Sequence, residues 1–179
     1  MEYKYKTTFE CPISICEISK ASLISEASLS NLAPLVPKDI AYKSNVDLLG
    51  VAFNAAVVNK FNKNGDGMST ETAMEYTPNF VHKPTNIEHN KQKIVGHIVD
   101  AGFSDAETSK ILTAEDIKNK KNPFNIALGA VIYKSVNRDF TNLVEKSLDP
   151  EDPAFRKVSA SWEIGFSNFV LAVGSDDLK

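Results

Sequence analysis

Three histidines, His82, His89 and His97, fall close together in a chain that has no others, and two of them lie in the stretch NIEHNKQKIVGHI. An imidazole can ligate a metal, carry a proton near neutral pH, or simply pack. Compact zinc motifs place ligands roughly two to five residues apart on a turn or helix. Positions 82, 89 and 97 fit no such spacing, and the two cysteines, Cys11 and Cys16, lie far away in sequence. His97 alternates with Val95 and Val99 and is expected to pack on the apolar face of a strand. His89 follows Asn86 and Glu88 and precedes Asn90, Lys91, Gln92 and Lys93. That places it at the edge of a polar turn, where a partly exposed imidazole can move a proton.

The second chemical candidate is KVSASWEIGF, residues 157–166. As a strand it puts Val158, Ala160, Trp162, Ile164 and Phe166 on one face and Ser159, Ser161, Glu163 and Gly165 on the other. The first set reads as core, with Trp162 at its centre. The second presents two hydroxyls and a carboxylate in a row. An amphipathic strand with a polar outer side explains that row without chemistry. A serine becomes a nucleophile only when a base lies within hydrogen-bond reach.

A third stretch, NKNGDGMSTETA, has the outline of a calcium loop, with Asn62, Asn64, Asp66 and Gly67 at the early ligand positions. The first position lacks Asp, and Ala73 stands where a bidentate Glu is needed. A glycine-rich turn is the expectation, and no metal is assigned.

The elements that must position these groups read as follows. Residues 3–18 form a long strand interrupted at Pro12. Residues 44–61, SNVDLLGVAFNAAVVNKF, read as a helix: Ser44 stands at the N-cap, Asp47 at the capping-box position, and Leu48, Val51, Ala55 and Val58 lie on one stripe. Residues 94–103 and 125–133 read as strands. A short helix capped by Thr113 and a helix over NRDFTNLVEKSL are expected, DPEDP is a break, and FVLAV adds a last strand. One mixed, strand-rich domain over residues 1–179 is expected, without repeats or linkers.

Bulk properties narrow the function. The chain has 179 residues, 42% hydrophobic and 24% charged, with a net charge of −3. No global basic surface offers itself to nucleic acid. No run approaches the roughly eighteen apolar residues of a membrane span, and MEYKYKTTFE lacks the apolar core of a signal peptide. Cys11 and Cys16 would point to opposite faces of one strand, so free thiols without a catalytic role, in a reducing cytoplasm, are expected.

Taken in order, NIEH and IVGHI, then ALGAVIYK, then VSASWEIGF resemble the procapsid (prohead) maturation proteases of tailed bacteriophages, a family related in fold to the herpesvirus assembly protease. The resemblance spans residues 45–170. It implies an α+β fold: a compact β-barrel or strongly curved, mostly antiparallel sheet flanked by helices. It implies a serine endopeptidase with His89 as general base and Ser161 as nucleophile. Ser161-Trp162-Glu163 fits the family's Ser-x-Glu form, while Ser159 after Val158 fits its Val-Ser form; Ser161 is preferred. The herpesvirus enzymes use a further histidine downstream of the serine, and none follows Ser161 here. Asp100, Asp105, Glu163 and His97 are the candidates for an orienting third member, and Arg156 or backbone N–H groups for oxyanion donors. The implied substrates are phage scaffold or core proteins, the major capsid protein and the chain itself, inside the procapsid in the infected bacterial cytoplasm. No cofactor is implied, and a homo-oligomer is compatible with the family.

Two other classes compete. One is a non-enzymatic capsid assembly or scaffold module on the same fold, which would tolerate alanine at 89 and 161. The other is a small metal-binding domain built on the three histidines. A Ser161–Lys157 dyad is disfavoured, because four residues along a strand span about 13 Å.

Overall fold

The computed structural model describes residues 5–15, 29–38, 45–166 and 169. Its strands are β1 (Tyr5–Ile15), β2 (Leu48–Val58), β3 (Pro84–Asn86), β4 (Ile94–Asp105), β5 (Ile111–Leu112), β6 (Phe124–Tyr133) and β7 (Ser159–Phe166). Helices α1 (Thr70–Tyr76), α2 (Ala114–Ile117) and α3 (Arg138–Ser147) lie between them, with 3₁₀ turns at Leu29–Leu35 and Thr77–Phe80. The chain is α+β, with a sheet ordered β3-β4-β6-β2-β1-β7 and β5 added on β4. Every pairing among these strands is antiparallel.

The helix expected over residues 44–61 is instead the central strand β2, and its proposed cap Ser44 lies outside the described residues. The reason is burial on both faces. Leu49, Val51 and Phe53 belong to the main core, while Ala52, on the opposite face, packs with Leu32 and Leu35 of the N-terminal 3₁₀ segment and with Val36 just after it. A strand covered on both sides loses its period-two alternation and reads as a continuous apolar run. In such a run a helical stripe can be found by accident.

The other expected elements that fall within the described residues are present. β4 and β6 occupy their expected stretches. Thr113 caps α2 through a full capping box with Asp116. Asn137 caps α3 by accepting from the Phe140 N–H. The glycine-rich turn exists too: the Asn62 side-chain oxygen accepts from the N–H groups of Asn64 and Asp66, and Gly65 sits at φ +80°. That oxygen is committed to the turn, which argues against its use as a calcium ligand. Helix α1, which follows with Ser69 as its cap, was not expected. Cys16 and most of FVLAV lie outside the described residues.

The sheet curls without closing into the barrel form that was one expectation. β1 pairs with β7 from Tyr5↔Phe166 to Pro12↔Ser159, then with β2 from Ile13↔Phe53 to Ile15↔Val51. The change of partner falls at Pro12, which brings no N–H to a ladder. Strands that switch partners in this way form the corners of folded sheets. No pairing joins β3 to β7 among the described residues, so an edge remains at each end of the order.

What holds the β1–β7 ribbon down is Trp162. Its indole N–H donates to the Ala55 carbonyl at 2.7 Å, and Phe80 meets its ring edge to face at 4.8 Å. Ala55 is the extra residue of a bulge in β2, between the register pairs Asn54↔Ala127 and Ala56↔Ile126. Ala160 and Ile164 pack on the same core from the same face of β7, as the alternation predicted. Trp162→Ala should therefore cost about 3 kcal/mol or more. Trp162→Phe, which keeps a ring and loses the N–H, should cost about 1–2 kcal/mol. Denaturant midpoints followed by circular dichroism check both, and a Trp162→Ala protein as stable as wild type would mean that β7 is not anchored here.

Gly96 sets the spacing of the opposite edge. It pairs with Thr85 on β3 and Ile132 on β6. A Cβ at this position would stand 1.8 Å from the Val131 carbonyl oxygen and 2.9 Å from Thr85 Oγ1. Gly96→Ala should separate β3 from β4 or β4 from β6, at a cost of about 1–3 kcal/mol or more. Thermal melting of this single variant tests it.

Candidate active site

The two candidate groups start at opposite ends of the strand order. Ser161 is on β7, in the exposed row with Ser159 and Glu163. The row faces out because Ala160, Trp162 and Ile164 face in. His89 is in the hairpin that joins β3 to β4. Although 72 positions separate them, His89 Nε2 lies 3.0 Å from Ser161 Oγ. Curling of the sheet brings its two edges to this one contact.

The hairpin is tightly built. The Asn90 N–H donates to the Ile87 carbonyl at 3.0 Å, so Ile87–Asn90 closes as a four-residue turn. The Ile87 N–H donates to Lys93, the Lys93 N–H to Asn90, and the Asn90 side chain accepts from the Gln92 N–H. Both central residues of the turn are left-handed, Glu88 at φ 53° and His89 at φ 56°. Two positive φ angles in succession are the type I′ pattern, which favours Asn-Gly and its relatives. Glutamate and histidine pay roughly 1–2 kcal/mol each for that conformation. His82, just before β3, is also left-handed at φ 67° and exposed; its N–H donates to the Ile98 carbonyl.

The structure separates the remaining candidates. Ser159 lies two residues along β7, roughly 7 Å away between Cα atoms, and the contact with His89 is made by Ser161. His97 is half-buried, but it does not simply pack on apolar neighbours: its Nδ1 is 2.7 Å from the Tyr133 hydroxyl, with the rings 5.8 Å apart. Asp100 accepts from the N–H of Ala101, its own neighbour. Asp105 accepts from the backbone and hydroxyl of Thr108 and from the Glu107 N–H, and these bonds hold its carboxyl below the ordinary carboxylate range. Glu163 is exposed on β7 beyond Ser161. The Arg156 guanidinium lies over the Phe155 ring, 5.1 Å from its centroid. Among the residues whose side chains are described, which exclude those of β1, no carboxylate or second imidazole bonds the His89 ring. Nor does any group of three or more His, Cys, Asp and Glu side chains converge as a metal site would require.

Tyr133 and the left-handed turn are the features that sequence reasoning missed. Tyr133 ends an apolar strand and gives no polar signal. The turn carries neither Gly nor Asn at its centre, so its conformation could not be read from residue types.

This arrangement can do one kind of chemistry. A hydroxyl in contact with an imidazole, both open to solvent, can lose its proton to the ring and attack an electrophilic carbon. No protein-family model, no curated protein and no solved structure matches this chain.

If the turn serves the contact and not the fold, removing its strain should stabilise the protein. The double replacement Glu88→Gly/His89→Gly relieves two left-handed residues of roughly 1–2 kcal/mol each and adds glycine's entropic cost of roughly 0.5–1 kcal/mol each. With roughly 0.5–1.5 kcal/mol also lost with the His89–Ser161 hydrogen bond, the expected outcome is a protein more stable than wild type by about 0.5 kcal/mol. Urea denaturation measures it, and a less stable double variant would show that the turn belongs to the fold.

Proposed function

We propose that this chain is a serine endopeptidase of the phage procapsid maturation type, with Ser161 as nucleophile and His89 as general base. The observation that carries the reading is the 3.0 Å approach of His89 Nε2 to Ser161 Oγ on an exposed surface. The curled antiparallel sheet is compatible with the herpesvirus-protease-like fold implied by the resemblance. NIEH, IVGHI and VSASWEIGF occur in the family's order and supply the two groups in contact.

With the ring proton on Nδ1, Nε2 accepts the Ser161 hydroxyl proton as the oxygen attacks the scissile carbonyl. The imidazolium then passes that proton to the leaving amine, which departs as the C–N bond breaks and an acyl-enzyme remains. Water, activated by the same ring, hydrolyses the ester. Backbone N–H groups are the natural donors to the oxyanion, one such donor being worth roughly 3 kcal/mol. Scaffold or core protein, the major capsid protein and the chain itself are the proposed substrates, inside the assembling procapsid. Confinement there raises substrate concentration, so a modest rate suffices.

Ser161→Ala and His89→Ala, each co-expressed with capsid and scaffold proteins, should abolish their processing. The double variant should lose little more than either single one, since the pair acts as a unit and each loss is on the order of a thousandfold or greater. Gel analysis of processed fragments gives the result. Retained processing in Ser161→Ala with loss in Ser159→Ala would move the nucleophile by two residues. Processing retained in every variant would leave the non-enzymatic assembly module as the better reading.

A further inference from the structure

A base that works on a serine has to be aimed. In a triad a third side chain does this by bonding the second ring nitrogen. Here the candidates for that duty are engaged elsewhere or lack a described contact with the ring. Asp100 is turned to the Ala101 N–H, Asp105 closes its own turn through Thr108, and His97 bonds Tyr133. Glu163 is exposed further along β7. The ring of His89 nevertheless sits 3.0 Å from its target.

We propose that the left-handed turn at Glu88–His89 orients the imidazole toward Ser161, and that Glu88 is a positioning residue through its backbone conformation. The proposal rests on the endopeptidase reading. The φ of His89, 56°, sets the direction of its Cα–Cβ bond. That φ cannot drift, because the turn is pinned on both sides. Asn90 N–H to Ile87 carbonyl closes it, and Ile87 N–H to Lys93 and Lys93 N–H to Asn90 brace its flank. Glu88, left-handed at φ 53°, is the other half of the same turn, and the ring direction changes if residue 88 leaves that region. The carboxylate of Glu88 has no part in this: what matters is that residue 88 stays left-handed. Strain held at a site by its surroundings is a known means of preorganisation.

Three variants of the full chain separate backbone from charge. Glu88→Gln keeps the shape and removes the charge. Glu88→Asn removes the charge and favours the left-handed region. Glu88→Val, β-branched, opposes it. The probe is a fluorophosphonate that phosphonylates an activated serine, with its binding constant and maximal rate measured separately. Gln and Asn variants should label within about threefold of wild type, and Val should lose on the order of a hundredfold in maximal rate with binding unchanged, the scale of a small misplacement. Nitrogen-15 spectra of the imidazole should show the wild-type Nε2 environment in the Gln and Asn variants and its loss in Val. Labelling in Gln or Asn that falls as far as in Val would assign the role to the carboxylate and overturn the proposal. So would a Val variant that labels and titrates like wild type. If wild-type protein itself does not label, the endopeptidase reading fails, and the imidazole spectra alone then decide whether residue 88 orients the ring.

Discussion

The indole N–H of Trp162 bonded to the Ala55 carbonyl is the constraint on which the site geometry depends. Ala55 falls at the register shift of the β2 bulge, and the one tryptophan of the chain bonds its carbonyl. A hydrogen bond of this kind contributes roughly 0.5–1.5 kcal/mol, so the bulge and the tryptophan support each other. The bond also fixes the phase of β7. With Trp162 inward, Ser161 must point outward, because a one-residue slip would exchange the two faces. The partner change of β1 at Pro12 lets the ribbon lie where Trp162 can reach. Bulge, tryptophan and partner change together decide where the serine stands.

Much of this was legible in the residues. β7 alternates cleanly because one face meets the core and the other meets solvent. The Thr113 cap and the helix after Asn137 follow from local hydrogen-bonding chemistry that needs no tertiary context. β2 was not legible, for a tertiary reason: the Leu29–Leu35 segment covers its second face and erases the alternation. Nothing local announces that cover. Its tightness shows at Gly129, where a Cβ would stand 2.2 Å from the Leu35 carbonyl oxygen. The bulge at Ala55 was equally hidden, since alanine there reads like any other apolar residue.

Inside the sheet a set of hydrogen-bonded polar side chains, three of them buried and Asn54 half-buried, adds a second constraint that no local signal in the residues marks. Ser104 donates to Asn54, Asn54 to Ser109, and Asn125 to Ser104 and to the Asp105 carbonyl. Four side chains from β2, β4, β6 and the β4–β5 turn thus satisfy one another. Networks of this kind favour one register, because a slip would leave the buried members Ser104, Ser109 and Asn125 unpaired. Asn54 flanks the bulge in β2, so the network and the Trp162 bond act on the same stretch of strand from neighbouring residues.

The pairing of His89 with Ser161 was read from a family's motif order and not from physics, since 72 intervening positions carry no local signal. The structure adds a physical argument of its own. A solvent-exposed hydrogen bond contributes roughly 0.5–1.5 kcal/mol to stability. The turn that makes this one places two ordinary residues in the left-handed region, at roughly 1–2 kcal/mol each. The cost exceeds the return, so the contact does not exist to hold the fold together. Asparagine and glycine in the same turn would give a more stable hairpin, and the chain carries glutamate and histidine instead. A local arrangement that costs stability and ends in an imidazole on a hydroxyl is what the proposed endopeptidase reading expects of its site.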